Sequence, residues 1–120
     1  MSSKTLYDKV WESHLVDDNV NNSLLYIDRQ LVHEVTSPQA FEGLLMRGLK
    51  VRNKESHLAV ADHNIPTIVE DRLAGLENMK DETSKLQIQT LEENCKKFGI
   101  KYFSINSPEQ GVVHITGPEQ

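Results

Sequence analysis

Apolar positions recur along this chain at two spacings, about 3.6 and 2 residues, and the alternation between them outlines its elements. Thr5 to His14 reads as a first helix, with Leu6 and Val10 on one stripe and Tyr7, Trp11 and Leu15 beside it. The polar run DDNVNNS, residues 17–23, reads as a loop, followed by short strands at Leu24 to Ile27 and Leu31 to Val35. Ser37-Pro38 then opens a helix, with serine as N-cap and proline at the first helical position. Phe41, Leu44 and Leu45 form its inner side, and Gly48 is its stop. His57 to Ala61 is an apolar strand that runs straight into Asp62-His63. Residues 64–82 carry only weak patterning and read as a long loop with at most a short turn of helix. A loop of that length in a compact domain points to a function or to a missing packing partner.

The strongest helix signal is Lys85 to Phe98. Ser84 with Gln87 makes a capping box, Ile88, Leu91, Cys95 and Phe98 form a stripe, and Gly99 ends it. Glu92–Lys96 and Glu93–Lys97 are favourable i,i+4 pairs on its outer side. Two more strands are expected, Lys101 to Ile105 and Val112 to Ile115. Strands alternating with helices predict an α/β layered domain spanning residues 1–120.

Charge and composition narrow the partners. The 120 residues carry 13 basic against 18 acidic side chains, a net charge of −5, which argues against nucleic acid as a partner. No apolar run approaches the length of a membrane span, and the first residues lack the apolar core of a secretory signal. A single cysteine, Cys95, permits no internal disulfide and suits a reducing compartment. The expectation is a cytoplasmic protein with no membrane segment.

Candidate chemistry collects in a few places. The first turn of a helix offers N–H groups and a partial positive charge to an anion, so Ser37 and Gln39 are candidates to bind a carboxylate or phosphate. Taken alone, the same residues could be a simple cap and a solvated amide. Asp62-His63 lies at the carboxyl end of a strand, where open α/β sheets build their sites. An aspartate holding an imidazole fixes its tautomer and lets the histidine give or take a proton near neutral pH. The bland alternative is a strand-end turn with an exposed imidazole. His114 stands alone in the apolar stretch GVVHI, His14 and His33 have no local partner, and Cys95 reads as a buried inert thiol. His57 and His63 lack a third ligand at useful spacing, so no zinc site is assigned.

Taken together, LLYIDRQLVHEVTSPQAFEGL, AVADHNIPT, NCKKFGIKYF and GVVHITGPEQ resemble the N-terminal part of the large subunits of 3-isopropylmalate dehydratases, within the aconitase family. Gln30 stands where that motif has histidine. The resemblance implies a partial three-layer aconitase-type domain. It also implies an iron-sulfur hydro-lyase of leucine biosynthesis, which interconverts 2-isopropylmalate and 3-isopropylmalate by removing and returning water. In such enzymes one iron of a four-iron, four-sulfur (4Fe-4S) cluster acts as a Lewis acid on the substrate hydroxyl. By motif, Gln39 with Ser37 would bind a substrate carboxylate, while Asp62, His63 and His114 would be catalytic. Cys95 lies outside the cluster motif, so the cluster cysteines are expected beyond residue 120, and this segment alone is expected to hold no cluster and to be inactive. A small subunit and a dicarboxylate substrate are the implied partners. Alternatives are a related hydro-lyase acting on citramalate-type acids, or a stand-alone binding module that retained the fold.

Overall fold

The computed structural model describes residues 3–19 and 22–120. Part of the 17–23 loop, Val20 and Asn21, lies outside the described residues.

A three-stranded parallel sheet organises the chain. Its strands are β3 (Gln30–Val32), β4 (His57–Val60) and β5 (Lys101–Phe103), in that spatial order. Side chains alternate between the faces of a strand, and the two cores separate accordingly. Val32, Ala59 and Ala61 point to one face, where they meet Phe41 of α2 (Ser37–Met46) and Ile88, Leu91 and Cys95 of α4 (Glu82–Phe98). Leu58, Val60 and Phe103 point to the other, onto Val113 of α5 (Val113–Glu119). A parallel sheet covered on both faces needs apolar residues at successive positions, which is why residues 58–61 are all apolar and all buried. The architecture is α/β in three layers, as the alternating pattern predicts.

Local chemistry sets the ends of the helices. Gly48 (φ 64°) and Gly99 (φ 70°) take the left-handed conformation that closes α2 and α4. Helix α4 starts a turn earlier than predicted, because Asp81 rather than Ser84 caps it, accepting the Ser84 N–H at 2.9 Å. Gln87 is therefore not a capping partner; its amide oxygen accepts the Asn64 side-chain amide. Of the two outer charge pairs, Glu92–Lys96 forms, at 2.8 Å. The segment expected to be a long loop holds a short helix α3 (Val69–Leu73), a 3-10 turn at Leu76–Asn78 and the start of α4.

The largest departure is at the end of the chain. Residues 112–115 form no strand; α5 begins there instead. Its buried residues, Val113, Thr116 and Gly117, recur at helical spacing, which a four-residue window at 112–115 cannot reveal. Gly117 lets the helix lie on β3, since a Cβ there would meet the Leu31 side chain.

Residues before β3 form a separate arm. Helix α1 (Leu6–His14) is capped by a Thr5–Asp8 capping box and leads into the antiparallel pair β1 (Leu15–Asp17) and β2 (Leu24–Leu25). Leu15 thus joins a strand rather than the helical stripe, and α1 buries none of its residues. Among the described residues, no helix is long and apolar enough to cross a membrane.

Candidate functional site

All three parallel strands end on one side, and the chain leaves two of them, β3 and β4, through acid–histidine pairs. After Val32 come His33 and Glu34, and after Val60 and Ala61 come Asp62 and His63. Because β3 and β4 are neighbours in register, Val32 beside Ala59, these two exits meet.

The Asp62–His63 pair forms in the turn. His63 Nδ1 faces Asp62 Oδ1, while the other carboxylate oxygen, Oδ2, accepts the Val113 N–H at 2.6 Å. Asp62 therefore does two things: it orients the imidazole and it caps the first turn of α5 from 51 residues away. Its side chain is 3% exposed and that of His63 43%, so the carboxylate is sequestered while the ring reaches solvent. With a proton on Nδ1, Nε2 of His63 is the open edge.

Two residues to which the sequence assigns no role complete this geometry. Glu34 is fully buried, and its carboxylate accepts backbone N–H bonds from Asp62 (3.2 Å), His63 (2.7 Å) and Asn64 (2.6 Å). His33 stacks on His63, with ring centroids 4.0 Å apart and planes 16° from parallel. Gln110 adds an outer tie, donating to Ala61 O at 3.0 Å and accepting from Arg72 at 2.9 Å. The one local signal for Glu34 is an acidic residue beside a histidine between apolar residues, LVHEV.

His33, Glu34, Asp62 and His63 bring ligand-type atoms within 4.8 Å of one another. Each of these atoms, apart from His63 Nε2, already takes part in a hydrogen bond. Both Glu34 oxygens hold N–H groups, both Asp62 oxygens are used, and His33 meets Val35 N–H and Thr36 Oγ1 at 3.3 and 3.4 Å. Stacked, near-parallel rings also aim their in-plane lone pairs side by side rather than at one point. The cluster is a hydrogen-bonded assembly of side chains.

The turn 33–36 carries the chain from the pair into α2. Thr36, not Ser37, stands at the N-cap position, and no side chain caps this helix. Ser37 is the first helical residue; its hydroxyl is buried and has no hydrogen-bond partner. It lines a cavity of about 300 Å³ along the outer edge of β3, together with His33, Thr36 and Phe41. Gln39 is exposed in the same first turn. His114 lies on α5, not in a strand; it is exposed and follows the residue that Asp62 caps.

Cys95 is the only cysteine, sits in the α4 core at 1% exposure, and burial with the nearby Glu92 pushes its thiol up to about 12. Iron-sulfur clusters are held by several thiolates, so the residues of this chain do not fit one. The family model for the aconitase family (aconitate hydratase) matches residues 8–120. No solved structure matches the chain.

Proposed function

The chain belongs to the aconitase family, a family of iron-sulfur hydro-lyases, and we propose that it is the N-terminal segment of the large subunit of a 3-isopropylmalate dehydratase. Its substrate would be a branched hydroxy-dicarboxylate, and its partners the remainder of the large subunit and a small subunit that completes the site. The substrate assignment rests on the YIDRQLVHEVTSPQAF resemblance.

The observation that supports a hydro-lyase role is the Asp62–His63 pair beside the uncapped first turn of α2. Removing water from a hydroxy acid breaks a C–O and a C–H bond. The departing hydroxyl needs a proton, the carbon-bound proton needs a base, which would come from outside this segment, and the charged substrate has to be held meanwhile. His63 presents Nε2 for the first task, with Asp62 stabilising the charged ring. The N-terminus of α2 suits the last, with Gln39 able to donate from its amide and Ser37 offering an unused hydroxyl. His114, in the first turn of α5, is proposed as a second catalytic histidine. The thiolates of an iron-sulfur cluster would come from outside this segment, whose own residues supply proton transfer and carboxylate binding.

The test is to express the complete large subunit containing this segment with its small subunit, loaded anaerobically. Formation of the unsaturated intermediate is then followed by ultraviolet absorbance from 2-isopropylmalate, a citramalate-type acid and citrate. Preferred turnover of 2-isopropylmalate is expected. Preference for another acid would move the chain elsewhere in the family. Binding without turnover of any of them would favour a non-catalytic module.

A further inference from the structure

His33 and Glu34 explain why the Asp62–His63 pair has the shape it has. Three consecutive backbone N–H groups, those of residues 62–64, converge on one point as they would around a bound anion. Here the anion is the Glu34 carboxylate, delivered from the neighbouring strand exit and fully buried. Removing it would leave three part-buried donors unpaired, which disfavours the present geometry of the turn. The His33 ring is itself held, Nδ1 accepting from Val35 N–H at 3.3 Å and Nε2 lying 3.4 Å from Thr36 Oγ1. Fixed in that way, it covers one face of the His63 imidazole.

We propose that His33 and Glu34 are positioning residues for the pair: Glu34 sets the backbone that carries Asp62 and His63, and His33 sets the plane of the imidazole. The consequence for proton transfer rests on the hydro-lyase reading above; the positioning stands on the geometry alone. Neither residue is expected to touch substrate. What they supply is a ring held with Nδ1 on Asp62 and Nε2 open, before any substrate arrives.

Nitrogen-15 NMR of the uniformly labelled 120-residue chain, with the histidine ring nitrogens read separately, tests this without any turnover. In the wild type, His63 is expected as the Nδ1–H tautomer and His33 as the Nε2–H tautomer. In Glu34→Gln, one of the two acceptor oxygens becomes an NH2 donor, so at least one of the three N–H groups faces a donor. Amide exchange at residues 62–64 should then quicken about tenfold or more, and the His63 tautomer bias should disappear while α4 amides keep their protection. In His33→Ala the bias should weaken with exchange at 62–64 unchanged, and His33→Phe, which restores a flat ring but not the two nitrogens that hold it, should recover the bias in part. An unchanged His63 tautomer in both Glu34→Gln and His33→Ala overturns the proposal. His33→Phe behaving as His33→Ala overturns the stacking half. If Glu34→Gln loses protection throughout α4, the His33→Ala and His33→Phe pair decides. Because the tautomer is read in the chain itself, failure of the assembled protein to dehydrate any hydroxy acid would not affect the outcome.

Discussion

The α/β body and the N-terminal arm use similar apolar residues and differ in what those residues meet. In the body, Leu58, Val60, Ile88 and Leu91 are at most 2% exposed. In the arm, Leu6 is 77% exposed and Val10 51%, although they share a helical stripe. The arm is held by local polar contacts instead. Thr5 and Asp8 cap α1, Tyr26 N–H donates to His14 O at 2.8 Å, and His14 meets Asp28 at 2.9 Å. An amphipathic pattern is a requirement for burial and does not itself cause it; a second apolar surface has to be present. The proposed site belongs wholly to the body, where burial fixes both strand exits.

The comparison can be tested at several strengths. The largest effect is expected at the site: in the assembled enzyme, His63→Ala should lower turnover about 100- to 10,000-fold. Its stability should fall by about 1–3 kcal/mol, because the sequestered Asp62 loses the partner of one carboxylate oxygen. Unchanged turnover would remove His63 from the mechanism. Next, Leu91→Ala should cost about 3 kcal/mol in urea unfolding, whereas Val10→Ala should cost less than about 0.5 kcal/mol. Equal costs would mean that the arm is packed in solution and the contrast is wrong.

A smaller effect should appear in the pH dependence of the body. The folded Cys95 thiol lies near 12, above its ordinary value of 9.0, because of burial and Glu92. A group with a raised pKa binds its proton more tightly in the folded state. Its contribution is therefore complete below pH 9 and is lost as pH rises from there toward 12. Thermal unfolding of wild type against Cys95→Ala across this window should show a fall that the variant lacks. Alkylation of Cys95 at pH 8 should likewise follow the unfolding transition rather than precede it.

The smallest effect is expected in the arm. The Val10 carbonyl, then Asp28, holds the His14 pKa above its ordinary 6.5. The sign is the same: the tie is complete below pH 6.5 and loosens as pH passes the folded value. Trp11 fluorescence should report the change in wild type, more weakly in Asp28→Ala, which keeps the Val10 carbonyl, and not in His14→Ala. A body-wide change over this range would instead show that the two regions are coupled.

Legibility in the sequence differs between the regions as well. The helices of the body are visible because their stripes run for several turns, and Gly48 and Gly99 mark their ends. The 64–82 segment reads as a loop because α3 is only 5 residues long and α4 takes its cap from Asp81. The four residues 112–115 fit either period, so His114 reads as a strand residue. The cap that makes them the start of a helix comes from Asp62, which no local window includes. Ser37 reads as a cap by residue type, but it lies one position inside the helix and leaves its hydroxyl unpaired.

By itself, then, the sequence determined the alternation of helices and strands, the α/β class and the family, and it marked Asp62-His63 as a strand-end pair. Those properties are written in local spacing, residue type and motif. Only the tertiary structure decided that Glu34 holds the turn, that His33 lies on His63 and that Asp62 caps α5. The Glu34 bonds join residues 28 to 30 positions apart, and the Asp62 cap spans 51. Contacts at that separation exist only after β3 and β4 lie side by side, so no periodicity along the chain can encode them in readable form.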